Sequence, residues 1–354
     1  MERVVTGTFS AYDPKVLQEF LEKGFESIGL SLSHCKVLLK PNLVMGKSPQ
    51  RAVNTHPDVV RAVAAALLDR SCDIYIGDSP GYESTEKALR GSGIMDVVEG
   101  MRLKVVPFDR LITKRQQSGV SPYRLFTFGQ DPGAYDAIVN LPKLKTHGMM
   151  GLTLGVKNTF GFIHSLEKAR WHLRAGQDRM LFASILIDIH RLVGPVVTIL
   201  DGIIGMDREG PSNGRAREIG LIAMSRDAFA LDHYVEGALG LATPLPITVK
   251  ALEHGLIEEY DVCGHSAWSV ADFEMPKSVD TDWALPSFVK SILRNLFVRK
   301  PRLDPEKCKS CGVCLKVCPT GSLVFFDRRP AFDYRRCIRC YCCQEMCPEG
   351  AIRT

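Results

Sequence analysis

The sequence predicts an α/β protein with a mostly parallel sheet and flanking helices, followed by a small C-terminal α+β domain. At 354 residues the chain exceeds what a single core usually organises. Over residues 1 to about 283, short apolar runs alternate with amphipathic stretches, which favours strands alternating with helices. Nine of the twelve cysteines then fall between Cys308 and Cys347. We therefore expect an α/β domain at residues 1–296 and a cysteine-rich domain at residues 303–354.

Strands and helices are predicted in regular alternation along the first domain. Each predicted strand is a short run rich in Val, Ile or Leu, and these runs occupy residues 36–40, 73–77, 103–108, 136–141, 196–200 and 218–224. Apolar residues at helical spacing separate or follow them, which predicts helices at residues 56–68, 84–93, 180–193 and 227–239. This order is typical of a parallel sheet covered by helices.

A last helix is predicted at about residues 284–299, ahead of Pro301. The stretch PSFVKSILRNLFVRKPR is basic and amphipathic, and we interpret it as a connecting helix docked on the α/β domain rather than a membrane-surface helix. The residues that follow resemble an exposed junction. The cysteine-rich domain is therefore predicted to be separable.

Composition and charge argue against several classes of protein. With 45% hydrophobic and 24% charged residues, the chain has the composition of a globular protein, and no uncharged apolar run reaches the roughly 18 residues of a membrane span. The N-terminal stretch MERVVTGTFSAYDPK has no apolar core of a secretory signal. The net charge is +5 without a long basic tract, so no nucleic-acid partner is expected. We expect a cytoplasmic location.

The cysteine-rich segment contains one spacing twice. The copies run from Cys308 to Cys318 and from Cys337 to Cys347, each as C-x2-C-x2-C-x3-C followed by proline. Two-residue gaps let one loop place three thiolates on one face of a cubane, while the fourth cysteine reaches the other cluster. The predicted cofactors are therefore two [4Fe–4S] clusters. Their predicted ligands are Cys308, Cys311, Cys314 and Cys347 for cluster 1, and Cys337, Cys340, Cys343 and Cys318 for cluster 2.

Zinc is the alternative occupant, because C-x2-C pairs also bind zinc tetrahedrally. The two complete runs match the cluster pattern better than a zinc ribbon. Over nearly all of residues 303–354 the chain resembles two-cluster bacterial ferredoxins, which implies a ferredoxin-like fold and the transfer of single electrons at low potential. Cys342 falls outside the spacing, and we interpret it as a small buried thiol.

The charge of this domain bears on its partner. Residues 303–354 contain nine Lys or Arg and six Asp or Glu, a net charge of +3. A basic surface suits an acidic electron donor such as a ferredoxin or a flavodoxin. Alternatively, the basic side chains offset the negative charge of the clusters.

Polar residues follow several predicted strands at the point where each strand ends. In open parallel sheets the carboxyl ends of the strands gather at one edge, where ligands bind. Glycine-rich residues 151–161 come next, where the backbone can approach a ligand closely, and lysines beside such a turn favour an anionic substrate or cofactor. The catalytic candidates are His147, Lys145, Lys157 and Asp201, and the substrate-binding candidates are Lys40, Asn42, Asp78, Lys143 and Asn158.

Each of these candidates has a structural alternative. Asp78 and Asp201 precede glycines and would shape turns, and Lys40 and Asn42 flank a proline that would end a strand. His147 would be a hydrogen-bonded structural histidine, and the three later lysines would be solvated charges. The chain has neither a phosphate-binding loop ending in Gly-Lys-Ser/Thr nor a GxGxxG sequence after its first predicted strand, so no nucleotide or dinucleotide site is expected.

Four segments together resemble one family. They are KPNLV, GDSPG, KLKTHGMMGLTLGVKNTFG and DGIIGMDREGPSNG, within residues 35 to 235. In this order they are similar to the iron–sulfur-associated family known as domain of unknown function 362. Members of that family often carry a ferredoxin appendage, which agrees with the cysteine spacing, but the resemblance implies an architecture more than a reaction.

Three hypotheses for function follow. The first is an iron–sulfur oxidoreductase that passes electrons from the ferredoxin domain to an anionic substrate or cofactor, with lysines holding the negative charge and His147 or a carboxylate supplying the proton. The second is a non-catalytic electron carrier or reductive activator of a partner protein. The third is a non-redox isomerase or lyase with structural or sensing clusters.

Overall fold

The structure is a computed structural model that describes residues 1–264, 268–276 and 299–354. The strands in these residues are β1 (Glu2–Thr8), β2 (Lys36–Pro41), β3 (Asp73–Ile76), β4 (Lys104–Val105), β5 (Ile112–Arg115), β6 (Leu125–Phe128), β7 (Ala137–Leu141), β8 (Lys143–His147), β9 (Gly151–Thr153), β10 (Val197–Asp207), β11 (Arg215–Ser225), β12 (Tyr260–Gly264), β13 (Arg302–Leu303), β14 (Leu323–Phe326), β15 (Arg329–Phe332) and β16 (Ile352–Arg353). The helices are α1 (Pro14–Ser27), α2 (Pro57–Leu68), α3 (Thr85–Gly91), α4 (Ile94–Met101), α5 (Gly155–Asn158), α6 (Ser165–Ala175), α7 (Arg179–Val193), α8 (Ala228–Ala238), α9 (Pro246–Glu253), α10 (Val313–Lys316) and α11 (Cys342–Glu345).

One large sheet organises the α/β domain. Its strands lie in the order β12-β1-β11-β10-β7-β2-β3-β4, and β8 pairs with β10 and carries β9 on its other side. The pairs from β10 through β7, β2 and β3 to β4 are parallel, as are β8 with β10 and β1 with β12. Antiparallel pairs join β11 to β1 and to β10. The predicted fold class, a mostly parallel sheet with flanking helices, is confirmed.

Both faces of the central strands are buried, which explains their continuous apolar runs. In β2, Val37 and Leu39 point into the core beneath α1, α2 and α4, whereas Leu38 points into the core beneath α6 and α7. Ile138 of β7 likewise faces the second core. Because side chains alternate along a strand, helices on both faces are needed to cover them.

Several elements differ from the sequence pattern. The predicted helix at 84–93 is two helices, α3 and α4, separated at Gly93, whose φ is +74°. The predicted strand at 103–108 shortens to β4, since Pro107 has no N–H to donate to a neighbour. The pattern does not indicate β1, α1 or α6. The predicted connecting helix at about 284–299 lies outside the described residues, apart from its last position.

The cysteine-rich segment forms two short helices, α10 and α11, and two small antiparallel pairs, β13 with β16 and β14 with β15. It is packed against the loops at the strand ends. Lys47 Nζ donates to the Pro348 carbonyl at 2.7 Å, and Asn213 Nδ2 donates to the Gln344 carbonyl at 3.1 Å. Tyr341, only 1% exposed, joins the hydrophobic core beneath α6 and α7. The segment is thus part of the packing of the larger domain.

In the described ranges, no helix is both long and apolar enough to cross a membrane.

A chain that ends at residue 298 tests how far the two predicted domains are separable. It should lose its iron, keep its α/β secondary structure and melt at a lower temperature than the full chain, because burying one aromatic side chain such as Tyr341 contributes about 2 kcal/mol. Circular dichroism and scanning calorimetry measure both effects. Equal melting temperatures would show that the cysteine-rich segment does not stabilise the larger domain.

Candidate functional site

A cavity of about 160 Å³ lies where the cysteine-rich segment covers the carboxyl ends of the strands. The larger domain lines it with six of the residues predicted from the sequence: Asn42, Asp78, Lys145, His147, Lys157 and Asn158. The cysteine-rich segment lines it with Lys316, Val317, Cys342, Glu345 and Met346. The strand-end position expected from the parallel topology therefore holds the cavity.

Two glycines allow close packing around the cavity. At Gly81, in the loop after β3, a Cβ atom would lie 1.9 Å from Met346 Sδ. At Gly161, after the glycine-rich turn, it would lie 2.0 Å from Asp78 Oδ1. Glycine is required at both places because any larger residue would displace a side chain of the cavity.

Lys40 and Asp78 form a buried ion pair at the edge of the cavity. Lys40 Nζ is 2.9 Å from Asp78 Oδ2, and both side chains are nearly inaccessible. Asp78 also accepts from the backbone N–H of Leu43 at 2.9 Å. Burial lowers the pKa of Lys40, and the Asp78 charge opposes that effect. The pair fixes the loop after β2 against the end of β3.

Lys143 and Asp201 form a second buried pair that does not line the cavity. Lys143 Nζ lies 2.7 Å from Asp201 Oδ2 and donates to the Tyr12 hydroxyl at 2.9 Å. Tyr12 in turn donates to Asp201 at 2.8 Å and stacks on His56, with ring centroids 3.6 Å apart. Burial and the Asp201 charge raise the pKa of Tyr12. The structure therefore separates these two predicted site residues from the other seven.

His147 contacts the cysteine-rich segment directly. Its Nδ1 accepts from the backbone N–H groups of Met149 and Met150, each at 3.1 Å, so the ring proton resides on Nε2. That Nε2 lies 2.6 Å from Glu345 Oε1. Burial lowers the pKa of His147 to about 4 against the opposing Glu345 charge, so the ring is neutral at pH 7. Nδ1 is thus engaged by the backbone, and Nε2 faces the Glu345 carboxylate.

Glu345 is ionised despite its burial. Burial alone would raise the pKa of the carboxyl, but the facing His147 and the Lys157 ammonium lower it to about 2. The carboxylate thus faces lysines of the larger domain from within the second cysteine motif.

Three lysines of the cavity have no carboxylate within ion-pair distance in the described part of the chain. Lys145 and Lys168 each donate to a backbone carbonyl, of Val53 and of Ser79 respectively. The Lys157 ammonium lies 6.0 Å from the centre of the Phe160 ring. Burial lowers the pKa of all three, to about 8 for Lys168 and well below the usual value for Lys145. Positive charge without full compensation therefore lines this cavity.

Helix α5 places Lys157 and Asn158. Its first two backbone N–H groups, on Gly155 and Val156, donate to the buried Asp232 carboxylate at 2.7 and 3.0 Å. Asn158 Oδ1 accepts from Asn42 at 2.9 Å. A carboxylate at a helix N-terminus offsets the orphan donors and the helix dipole. The glycine-rich turn is thus held at its start by Asp232 and at its end by Asn42.

The sequence pattern missed four residues of this site. Lys168 and His172 project from α6, and Lys316 and Glu345 lie inside the two C-x3-C gaps. The cysteine spacing offers a signal for the last two, because they occupy equivalent positions in the two copies. Lys168 and His172 of α6 lie at no predicted strand end and in no recognised motif, so the sequence gives no signal for them.

The two predicted ligand sets are each brought together. Cys308, Cys311, Cys314 and Cys347 line one small cavity. Burial and the neighbouring thiols of Cys340, Cys337, Cys318 and Cys314 raise the pKa of the Cys343 thiol, so the second set lies close together with Cys314 of the first set beside it. Backbone N–H groups donate to ligand sulfurs, as from Ser322 to Cys318 at 3.3 Å and from Ala351 to Cys347 at 3.2 Å. Such hydrogen bonds are typical of iron–sulfur sites.

Within residues 1–264, 268–276 and 299–354, no three His, Cys, Asp or Glu side chains converge on a single metal ion. A cubane binds each thiolate through a different iron, so its ligands stand further apart. Cys342 is buried and lines the large cavity, as expected for a thiol outside the spacing.

Comparison with known proteins agrees with the geometry. Residues 300–348 match a 4Fe-4S dicluster domain, so the α/β domain and its cysteine-rich cover define an iron–sulfur protein. Residues 37–235 match the domain of unknown function DUF362. The chain belongs to that family, and the resemblance predicted from its four segments is confirmed.

Two similar proteins put this assignment in context. A thylakoid-associated protein of Synechocystis sp. is 33% identical over 271 residues, covering 75% of this chain and 84% of that protein. A crystal structure of a protein from Thermotoga maritima aligns with 56% of this chain and 52% of that chain, at 14% identity and a TM-score of 0.38. The second similarity is too low to carry an argument.

Serine substitutions test the ligand assignment. Cys311→Ser should reduce iron content, because it removes a thiolate from one set of four, whereas Cys342→Ser should leave iron content unchanged. Iron and sulfide analysis after anaerobic purification, together with EPR of the reduced protein, measures both. Loss of a cluster in Cys342→Ser would show that the ligand register is wrong.

Proposed function

We propose that this protein is a cytoplasmic iron–sulfur oxidoreductase that reduces an anionic substrate or cofactor bound in the cavity between its two parts. The observation that supports the proposal most directly is the shared lining of that cavity. One wall carries lysines from the strand ends, and the other is built from both C-x3-C segments. A ligand there would touch the positively charged residues and the cysteine motifs together.

The eight cysteines fit two [4Fe–4S] clusters, the number that the two complete motifs imply. Bound clusters would supply single electrons at low potential. We expect about eight irons and eight sulfides per chain. Cys308, Cys311, Cys314 and Cys347 would hold one cluster, and Cys337, Cys340, Cys343 and Cys318 the other.

The chain's own residues bind and orient the ligand. Lys145 and Lys157 hold its negative charge in a site screened from water, where fixed positive charge is most effective. Asn42 and Asn158 offer amide groups at the same wall. His147 acts through Glu345: its Nε2 lies 2.6 Å from Oε1 and positions that carboxylate at the cavity wall, where the Lys157 ammonium favours its ionised form. The Lys40–Asp78 and Lys143–Asp201 pairs hold the strand ends in place.

Turnover distinguishes this proposal from its rivals. Chemically reduced protein is mixed anaerobically with candidate anionic substrates, and reoxidation of the protein is followed together with product. Substrate-dependent reoxidation supports the oxidoreductase. A stable complex with a partner protein and no turnover would indicate a carrier or reductive activator, and turnover without reoxidation would indicate an isomerase or lyase.

Two lysine substitutions separate binding from stability. Lys157→Met should leave the melting temperature unchanged or raise it, because it removes a half-buried charge without an ion-pair partner in the described residues, while activity falls sharply. Lys40→Met should cost about 3–5 kcal/mol, since it leaves Asp78 buried and unpaired. Calorimetry and turnover assays measure both. Strong destabilisation by Lys157→Met would place that lysine in a structural role.

An exposed hairpin near cluster 1 suits an acidic electron donor. Val324, Phe325 and Phe326 of β14 are 57%, 48% and 76% exposed. The Phe325 ring packs over Gly312, within 3.6 Å of where its Cβ would lie, beside the exposed Cys311. Arginines on the same hairpin carry positive charge. Arg328 and Arg329 outnumber Asp327 in this hairpin. An apolar patch beside net positive charge matches an acidic partner surface.

Charge reversal on this hairpin tests the docking surface. Arg329→Glu should slow electron transfer from an acidic donor such as reduced flavodoxin about tenfold at low salt and remove most of its salt dependence. Reduction by dithionite should be unchanged. Lys23→Glu, an exposed lysine of α1, is the matched control. Equal effects of the two substitutions would show that the donor does not dock at the hairpin.

A further inference from the structure

We propose that the cavity binds a small organic dianion of roughly ten non-hydrogen atoms or fewer, held by Lys145, Lys157, Lys168 and His172, rather than a flavin or a nicotinamide cofactor. The inference rests on the proposed function, because it names the class of ligand for that same site. Its test measures binding alone, so the two can fail separately.

The cavity volume limits the size of the ligand. A protein cavity of about 150 Å³ holds one benzene molecule, and pockets for drug-sized ligands measure about 300–1,000 Å³. At about 160 Å³, this cavity belongs with the first group. A C4 dicarboxylate or a three-carbon phosphate ester fits such a volume, whereas the three fused rings of a flavin do not.

The charges around the cavity set the charge of the ligand. The charge of Asp78 is already matched by Lys40. Lys145, Lys157 and Lys168 then face Glu345, the remaining carboxylate of the lining. Against this carboxylate, the three protonated lysines of the larger domain leave an excess of two positive charges, since the facing histidines are neutral. Lys316, the fourth lysine of the lining, is exposed to solvent and is left out of this count. Buried charge without a partner is costly, so a dianion compensates the site where a monoanion does not.

His172 is the second observation that points to a ligand. The residue is 5% exposed, and its Nδ1 is buried without a hydrogen-bond partner in the described residues. The ring packs against Phe160 and Phe182, with centroids 5.8 and 4.5 Å away, and it lines the cavity. Buried polar groups are normally satisfied. The Nδ1 atom of this imidazole is therefore available to hydrogen-bond a bound molecule.

Proton uptake should accompany binding. Because burial has lowered the pKa of Lys168 to about 8, part of this ammonium is deprotonated at pH 8.5 in the unliganded protein. A bound dianion favours the charged ammonium and raises its pKa. Calorimetry at pH 8.5 in buffers of different ionisation enthalpy should therefore show net proton uptake.

The test is anaerobic titration calorimetry of the iron-loaded protein with defined probes. Succinate and butyrate have similar size but carry two charges and one, and glycerol 3-phosphate carries its two charges on a phosphate. Inorganic phosphate, FMN and NADH complete the set. We expect succinate or glycerol 3-phosphate to bind at least tenfold more tightly than butyrate and inorganic phosphate, with no binding of FMN or NADH. The tighter of the two identifies the dianion as a dicarboxylate or a phosphate ester.

Substitutions in the cavity test whether the dianion binds there. Lys157→Met and His172→Phe should each weaken the dianion about tenfold or more, while Lys15→Met, at an exposed position of α1, should not. Unchanged iron content and melting temperature show that each variant is folded. Binding of FMN or NADH in place of the dianion, or equal affinity for succinate and butyrate, overturns this inference and leaves the oxidoreductase proposal standing. Binding of the dianion without turnover from any donor supports this inference and contradicts the oxidoreductase proposal.

Discussion

The contact between His147 and Glu345 is the interaction on which the site depends. It joins the end of β8 to the helix inside the second cysteine motif across 2.6 Å, and it closes the cavity between the two parts of the chain. The orientation of the imidazole is set locally, by two backbone N–H groups that hold its other nitrogen. A short turn after a strand thereby fixes where a distant cysteine motif can sit, since a buried carboxylate is tolerated only beside a donor.

The unpaired lysines around that contact lower the stability of the fold. Lys145 is buried and Lys157 and Lys168 are half-buried, without carboxylate partners in the described part of the chain. Desolvation lowers the pKa of each. Elsewhere on the same sheet edge, the lysines are paired: Lys40 with Asp78 and Lys143 with Asp201. The two groups of lysines differ in whether a carboxylate faces them. Paired charges hold a fold together, whereas unpaired buried charges are retained where a ligand completes them.

The two cysteine motifs play unequal parts in this arrangement. Lys316 and Glu345 occupy the same position in the two C-x3-C gaps, with opposite charge. The first motif leaves its lysine exposed, next to the hairpin that carries Phe325 and Phe326. The second is buried, with Tyr341 in the core of the larger domain and Glu345 in the cavity. The second half of this repeat is thus buried against the α/β domain, whereas the first half is more exposed and contributes Lys316 and Val317 to the cavity.

What the sequence determines by itself is local. The cysteine spacing specifies the two ligand sets because a loop of two-residue gaps can hold a cubane face without help from the rest of the fold. Apolar runs specify the central strands, and parallel topology then brings Asn42, Asp78, Lys145 and Lys157 to one edge.

Pairings across long sequence separations have no such signature. Glu345 and His147 are 198 positions apart by their numbering, and Lys168 and His172 reach the cavity only because α6 packs beside it. The sequence also does not show which lysines will be paired with a carboxylate. Lys143 and Lys145 are two residues apart on one strand, yet only Lys143 has an acidic partner in the described residues. Only the tertiary structure decides that difference, because burial and pairing depend on which chain segments meet.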